Sequence, residues 1–263
     1  MTIPILYSLL SVLLALLLRP SSGDTLPQDI FILAGQSNMA GRGGVENDKW
    51  NGFVPPQCRP NPSILRLSAQ LTWSEAAEPL HADIDVDRVC GVGPGMSFAN
   101  AIKSKDPRLG VVGLVPCAVG GTKIAQWARG TPLYNQMVSR ATAAVKTSAR
   151  CKTIQNLTRG STWESDTVVQ AEAEAYRTNM EKLIGDIRTD LNSPSLLIIQ
   201  VALASGEGKF VDTVRSAQLG ITLPNVKCVD AKGLDLKTDH LHLTTTSQVR
   251  LGSMLADAFL ASQ

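Results

Sequence analysis

Short apolar runs alternate with amphipathic stretches along most of this chain. The runs are rich in aliphatic and β-branched residues, which predicts buried strands over residues 29–34, 109–115, 195–202 and 226–230. Hydrophobic positions at helical spacing predict helices over residues 95–105, 133–149, 168–191 (interrupted near Gly185), 209–219 and 246–260. Strands that alternate with helices favour a doubly wound α/β fold, in which helices cover both faces of a parallel sheet.

Two glycine-rich turns mark one edge of this predicted sheet. Gly35 follows the first strand, and Gly120-Gly121 follows the second. In parallel sheets, ligands bind beyond the carboxyl ends of the strands, which is where both turns fall. Residues 41–95 show no sustained period and are rich in Gly, Pro, Asn and charge, which predicts loops around the same edge. The pattern therefore predicts one site in one domain.

The first residues form a candidate targeting segment. An apolar stretch from Ile5 to Leu18 precedes Arg19-Pro20 and the small residues at 21–23. This order is typical of a secretory signal peptide, and the stretch is shorter than the roughly 20 apolar residues that span a bilayer. We therefore predict a cleaved leader over residues 1–23 and a secreted, extracellular protein. Because the leader begins without Lys or Arg, an uncleaved anchor, and with it membrane contact, is the alternative.

Charge and cysteine content limit the partners, cross-links and metals that are expected for this chain. The chain has 25 Lys and Arg against 23 Asp and Glu, with no basic run, so nucleic acid is not a predicted partner. We expect the protein to be a monomer. Five cysteines in an oxidising compartment predict two disulfides and one remaining thiol, with Cys58 to Cys90 as the first candidate bridge. Their spacings match no zinc motif, so we predict no metal site.

A candidate nucleophile lies directly after the first strand. Ser37 stands in Gly35-Gln36-Ser37-Asn38-Met39, where a sharp turn can present its hydroxyl at the sheet edge. A serine hydroxyl needs a base to become nucleophilic. Without such a base, a serine in a turn is more often a capping or turn residue.

The candidate base lies near the carboxyl terminus, just before the last helix. Of the histidines at 81, 240 and 242, His242 stands three residues after Asp239, a spacing that lets the carboxylate fold back and orient the imidazole. His240 is too close to Asp239 for this and is predicted to be a surface or capping residue. The pair Asp239 and His242 therefore predicts the partners of Ser37.

Three ordered segments together resemble a known family: residues 35–39, the segment 118–127 (Ala-Val-Gly-Gly-Thr-Lys-Ile-Ala-Gln-Trp), and Asp239-His240-Leu241-His242. They are similar to the sialate O-acetylesterase-like domain of plant probable carbohydrate esterases, within the SGNH hydrolases. The resemblance covers roughly residues 28–261 and implies a flavodoxin-like, three-layer α/β/α fold. It also implies ester hydrolysis that needs no metal or cofactor. It implies Ser37 as nucleophile, with the amides of Ser37 and Gly121 as oxyanion donors and Asp239 and His242 as acid and base.

The resemblance implies removal of O-acetyl groups from extracellular carbohydrate. By their position after the glycine turn, Trp127 and Arg129 are candidate sugar contacts, with a core tryptophan as the alternative. A catalytically impaired carbohydrate-binding relative and a general acyl or lipid esterase are the alternative functions.

One segment departs from the family pattern. The family places Trp-x-Gln-Gly-Glu-Ser-Asp at the end of a strand, whereas here Thr162-Trp163 precede Glu164-Ser165-Asp166. The missing Gln is an oxyanion donor, and one such donor is worth about 2.7–4 kcal/mol. The run before it, residues 154–161, is too polar for a typical central strand. The departure therefore predicts weakened activity.

Overall fold

The computed structural model describes residues 26–146, 150–157, 166–206 and 208–263. The predicted leader and the altered positions Thr162 and Trp163 lie outside these residues. The strands are β1 Asp29–Gly35, β2 Val45–Glu46, β3 Lys49–Trp50, β4 Ile64–Leu67, β5 Trp73–Glu75, β6 Val112–Pro116, β7 Arg150–Leu157, β8 Leu197–Ala202 and β9 Val226–Asp230. The helices are α1 Ser37–Ala40, α2 Gly95–Lys105, α3 Pro132–Lys146, α4 Gln170–Asp190, α5 Val211–Leu219 and α6 Thr245–Leu260, with short 3₁₀ turns at Pro56–Cys58 and Ile124–Trp127. Within this part of the chain, no helix has the length and apolar character to cross a membrane.

Seven of the strands form one sheet in the order β5-β4-β6-β1-β7-β8-β9. Only β5 is antiparallel to its neighbour, and the other pairs are parallel. The strand β1 is central, between β6 and β7, so the turn that follows it emerges at the middle of one sheet edge. The predicted fold class, a mostly parallel sheet covered by helices, is confirmed.

Alternation along β1 explains the three layers. Every residue of this strand is buried, because both of its faces are covered. Phe31 and Leu33 face the core under α2 and α6, whereas Ile30 and Ile32 face the core under α3, α4 and α5. Phe31 meets Phe98 and Phe259 edge-on, with ring centroids 5.0 and 5.1 Å apart. Packing on both faces of the sheet therefore fixes the end of β1, from which the turn with Ser37 emerges.

Residues 154–157, the described part of the polar run before the altered segment, do belong to a central strand. The backbone of β7 pairs with β1 from Asp29 to Gly35 on one side and with β8 on the other. Over residues 154–157 the expectation that the run is too polar for a central strand is wrong, because two neighbouring strands provide hydrogen-bond ladders for its backbone.

Two further expectations about secondary structure need correction. Residues 41–95 are not loops alone: β4 and β5 extend the main sheet, and β2 pairs with β3 in a separate hairpin. The helix α4 is not interrupted at Gly185 but runs unbroken from Gln170 to Asp190. Burial of Leu183, Ile184 and Ile187 offsets the roughly 1 kcal/mol that a glycine costs a helix.

The predicted bridge between Cys58 and Cys90 is wrong. Both residues are free thiols, as are Cys117 and Cys228, and the side chain of Cys151 lies outside the described part. Each of the two faces a different partner: Cys58 lies beside Ser97, whereas the Sγ of Cys90 accepts a hydrogen bond of 3.5 Å from Arg42. Burial raises the pKa of Cys90 to about 11, which keeps the thiol protonated at neutral pH.

Candidate active site

The sharp turn after β1 places Ser37 at the sheet edge. Gly35 ends the strand with φ +127°, and Ser37 begins the single-turn helix α1. Gly41 closes that turn by donating its N–H to the carbonyl of Ser37 at 2.9 Å. Ser37 is 2% exposed, so its hydroxyl lies below the surface, where loops from other parts of the chain can contact it.

A second turn presents the acid and the base. The N–H of His240 donates to the carbonyl of Lys237 at 2.9 Å, and His240 itself is exposed with φ +54°. Asp239 then turns its carboxylate back on the chain, where Oδ1 accepts the N–H groups of Leu241 and His242, each at 2.9 Å. This side-chain to backbone bonding is the Asx-turn habit of aspartate, and it fixes the carboxylate beside the following imidazole.

The two turns meet across the sheet edge. Nδ1 of His242 lies 2.8 Å from Oδ2 of Asp239, and Nε2 lies 3.1 Å from Oγ of Ser37. When Nδ1 carries the proton and hydrogen-bonds to the carboxylate, Nε2 is left as the acceptor for the serine hydroxyl. The three residues predicted as nucleophile, acid and base are thus brought together in hydrogen-bonding order.

The charge states of this triad follow from its surroundings. Partial burial alone would raise the pKa of Asp239, but hydrogen bonds from the amide and ring of His242 outweigh it and lower that pKa to about 2. Burial lowers the pKa of His242, an effect that Asp239 opposes and that the nearby cations Arg42 and Lys237 reinforce. At neutral pH the aspartate is therefore charged and the imidazole is neutral, as a general base requires.

The pH profile of ester hydrolysis tests this assignment. A His242 that acts as general base is active in its neutral form, so kcat/KM for 4-nitrophenyl acetate should fall as pH drops through its pKa. We expect the midpoint below 6.5, the ordinary value for histidine, because burial lowers this pKa. Lys237→Met removes one of the cations and should move the midpoint upward. A midpoint above 6.5 in the unmodified protein, or a downward shift in the variant, would contradict the assignment.

The glycine turn after β6 reaches the same place. Beyond the strand the chain continues along β1, with the N–H of Val119 donating to the carbonyl of Gly35 at 2.9 Å. Gly121 has φ +79°, a conformation that favours glycine. A Cβ on Gly120 would lie 2.5 Å from the guanidinium of Arg42, so a side chain at this position would have to displace the buried pair of Arg42 and Asp85. Gly121 lines the cavity that contains Ser37, as its predicted role requires.

A cavity of about 250 Å³ opens over the triad. Besides Ser37, Asp239, His242 and the two glycines, its lining comprises Arg42, Val45, Asn47, Asp48, Arg88, Val89 and Lys237. Sequence reasoning missed this second group, because most of it lies in segments without periodicity. Arg42 is buried and pairs with the buried carboxylate of Asp85, so an ion pair behind the wall holds this guanidinium in place.

The structure does not bring the two predicted sugar contacts to this cavity. Trp127 is 3% exposed and packs in the core under α3 and α4, and its Nε1 donates to Thr122 at 3.1 Å. The guanidinium of Arg129 is held by Asp186 and Asp190 of α4. The alternative interpretation of Trp127 as a core residue describes its position, and Arg129 is committed to a surface ion pair.

Asn38 is a further residue that sequence reasoning missed. Its Oδ1 accepts hydrogen bonds from the N–H of Leu243 at 3.0 Å and from the side-chain amide of Gln248 at 3.4 Å. These bonds tie the turn that contains Ser37 to the loop that contains His242. Only its position next to Ser37 could have drawn attention to it.

Removing this tie should cost stability. In Asn38→Ala the buried N–H of Leu243 loses its acceptor, so the free energy of unfolding should fall by about 1–3 kcal/mol. Urea denaturation measures this, with exposed Asn135→Ala as a matched control that should change it by no more than roughly 0.5 kcal/mol. Equal losses in both variants would show that Asn38 does not tie the loops.

Most of the segment that departs from the family pattern cannot be placed relative to the cavity. Thr162, Trp163, Glu164 and Ser165 lie outside the described residues, whereas Asp166 is buried and accepts the N–H of Ile124 at 3.0 Å. Over the described ranges, no three His, Cys, Asp or Glu side chains are grouped so that they could hold a metal ion.

The family model for the carbohydrate esterases called SASA, described as sialic acid-specific acetylesterases, matches residues 27–261. The protein belongs to this carbohydrate esterase family, which supports an esterase activity. The resemblance that the three sequence segments predicted is therefore confirmed.

Individual relatives agree. The chain is 55% identical over 246 residues to the probable carbohydrate esterase At4g34215 of Arabidopsis thaliana, covering 90% of this chain and 92% of that protein. The X-ray structure of that Arabidopsis protein superposes with a TM-score of 0.85 at 56% identity, covering 89% of this chain and 98% of that one. A carbohydrate acetylesterase from Xanthomonas citri shares the fold alone, with a TM-score of 0.63 at 18% identity over 89% of this chain and 57% of that one.

Proposed function

We propose that this protein is a serine esterase that removes O-acetyl groups from extracellular carbohydrate. The observation that carries the proposal is the chain of contacts from Asp239 through His242 to the Ser37 hydroxyl, at the base of a cavity in a carbohydrate esterase. The family description as acetylesterases supports the acetyl group. The extracellular location rests on the apolar leader at residues 1–23.

The mechanism follows from the hydrogen bonds. Nε2 of His242 takes the proton of Ser37 as Oγ attacks the acetyl carbonyl carbon, and the oxyanion forms near the amides of Ser37 and Gly121. When the tetrahedral intermediate collapses, the imidazolium delivers this proton to the departing sugar oxygen. Water, deprotonated by the same imidazole, then attacks the acetyl-serine, and acetate leaves while Ser37 regains its proton. Asp239 holds the ring in position and stabilises its charged form throughout.

The dimensions of the site favour a small acyl group. The cavity of about 250 Å³ is smaller than the roughly 300–1,000 Å³ of typical ligand pockets, and it must hold part of the sugar as well. A long acyl chain would compete with the sugar for this volume. Comparing acetyl, butyryl and octanoyl esters tests the general acyl esterase alternative, which predicts equal or better turnover of the longer chains.

Labelling with a serine-reactive fluorophosphonate, followed by peptide mapping, tests the proposal directly. We expect the label on Ser37 and no label on heat-denatured protein, because only the folded triad activates the hydroxyl. Acetate release from acetylated oligosaccharides, measured on the same sample, should accompany labelling. Glycan binding with neither label nor acetate would instead support the impaired carbohydrate-binding relative, in which the altered segment at Thr162-Trp163 has abolished turnover.

A further inference from the structure

The tip of the β2–β3 hairpin is a built part of the cavity wall. Asn47 and Asp48 connect the two strands with φ +48° and +53°, between the paired residues Glu46 and Lys49. Two consecutive left-handed residues are the signature of a type I′ turn, which matches the twist of the flanking strands. Both tip residues are exposed, and both line the cavity that contains Ser37.

Backbone hydrogen bonds connect this hairpin to the turn that contains Ser37. Gly43 and Val92 exchange two of them, at 3.0 and 2.9 Å, directly before β2. Gly91 donates to the carbonyl of Gly41 at 3.0 Å, and Gly41 donates to the carbonyl of Ser37 at 2.9 Å. A group bound at the hairpin tip is therefore held in a defined position relative to Ser37, without depending on a long flexible loop.

Most charged groups in the cavity already have partners. Arg42 pairs with Asp85. Oδ2 of Asp239 contacts Nδ1 of His242 and lies 3.6 Å from Nζ of Lys237. Asp48 and Arg88 differ: across the described ranges, neither charged side-chain group has an ion pair or a hydrogen-bond partner. The cavity thus holds an unused carboxylate and an unused guanidinium that do not bridge to each other.

We propose that Asp48 and Arg88 bind hydroxyl groups of the sugar that carries the acetyl ester. A carboxylate accepts hydrogen bonds and a guanidinium donates them, and a sugar hydroxyl does both. Ser37 is nearly inaccessible whereas Asp48 and Arg88 are exposed, so the acetyl group enters first and the sugar ring remains at the mouth between the two charges. This assignment rests on the proposed esterase function and moves sugar recognition from Trp127 and Arg129 to the hairpin tip and residue 88.

The test compares esters with and without a sugar. We would measure kcat/KM for 4-nitrophenyl acetate and for mono-O-acetylated methyl glucopyranoside, methyl xylopyranoside and N-acetylneuraminic acid. In Asp48→Asn and Arg88→Gln, the ratio of kcat/KM for the best sugar ester to that for 4-nitrophenyl acetate should fall by about 10- to 100-fold, the effect of one charge-assisted hydrogen bond. The exposed controls Asp87→Asn and Arg59→Gln, which do not line the cavity, should leave this ratio unchanged.

Failure of this inference is separable from failure of the esterase. If the unmodified protein hydrolyses the sugar esters and neither variant changes the ratio, or if both kinds of ester decline equally, the assignment is wrong. If the unmodified protein hydrolyses no ester, the esterase proposal fails, and saturation-transfer NMR with the same acetylated sugars decides the binding question. Signals that weaken in Asp48→Asn and Arg88→Gln but persist in both controls would support the subsite, and signals that are absent or unaffected would overturn it.

Discussion

Replacing Ser37 with alanine should lower kcat for acetyl ester hydrolysis by a factor on the order of 10⁵–10⁶. The Oγ of Ser37 is the atom that the His242 ring reaches, at 3.1 Å, so its loss removes the acyl acceptor and leaves the base without a proton to take. The residual rate would come from water attack near the amides of Ser37 and Gly121, the proposed oxyanion donors. Steady-state kinetics with 4-nitrophenyl acetate, and labelling by the fluorophosphonate, both report this loss.

The same variant should remain folded. Ser37 contributes one small side chain at the start of α1, and the backbone bond from Gly41 to its carbonyl does not involve Oγ. Far-ultraviolet circular dichroism and the urea midpoint should therefore stay close to those of the unmodified protein. Ser74→Ala, in the exposed edge strand β5, provides a matched control with full activity. Full activity in Ser37→Ala itself would remove Ser37 from the mechanism.

The strands buried on both faces were the most predictable part of the fold. In β1 and β8 nearly continuous apolar sequence reflects burial under helices on both sides, so composition and structure coincide. The edge strands β4 and β5 are only four and three residues long, too short for a period to emerge. The strand β7 was missed for a different reason, because its place is fixed by ladders from β1 and β8 that no local pattern reveals.

The site divides in the same way. The spacing of Asp239 and His242 encodes their contact locally, and Ser37 follows a recognisable strand and turn, so sequence could nominate all three. The hairpin tip at Asp48 and the loop at Arg88 reach the cavity only through tertiary folding. Nearness in sequence to Gly121 does not place Trp127 near the cavity, because the 3₁₀ turn Ile124–Trp127 directs the indole into the core.

Replacing Asp239 with asparagine should lower kcat by about 10⁴-fold. The amide oxygen of asparagine can still accept the N–H groups of Leu241 and His242, so the loop keeps its shape. Its NH₂ group, however, would face Nδ1 of His242 as a donor, which favours the tautomer with the proton on Nε2. That proton points toward the Ser37 hydroxyl, and the imidazole can no longer act as its base.

The pH dependence of the residual activity distinguishes this effect from simple unfolding. Asp239 raises the pKa of His242 through its hydrogen bond and its charge, opposing burial, so its neutralisation should lower that pKa further. The acid limb of kcat/KM in Asp239→Asn should therefore shift to lower pH, while Asp257→Asn on the exposed surface of α6 should keep both the rate and the midpoint of the unmodified protein. A variant that lost activity through disorder would show a lower urea midpoint without this shift. Near-normal turnover in Asp239→Asn would mean that the carboxylate does not orient the base, and the contact of 2.8 Å between the two residues would then be structural alone.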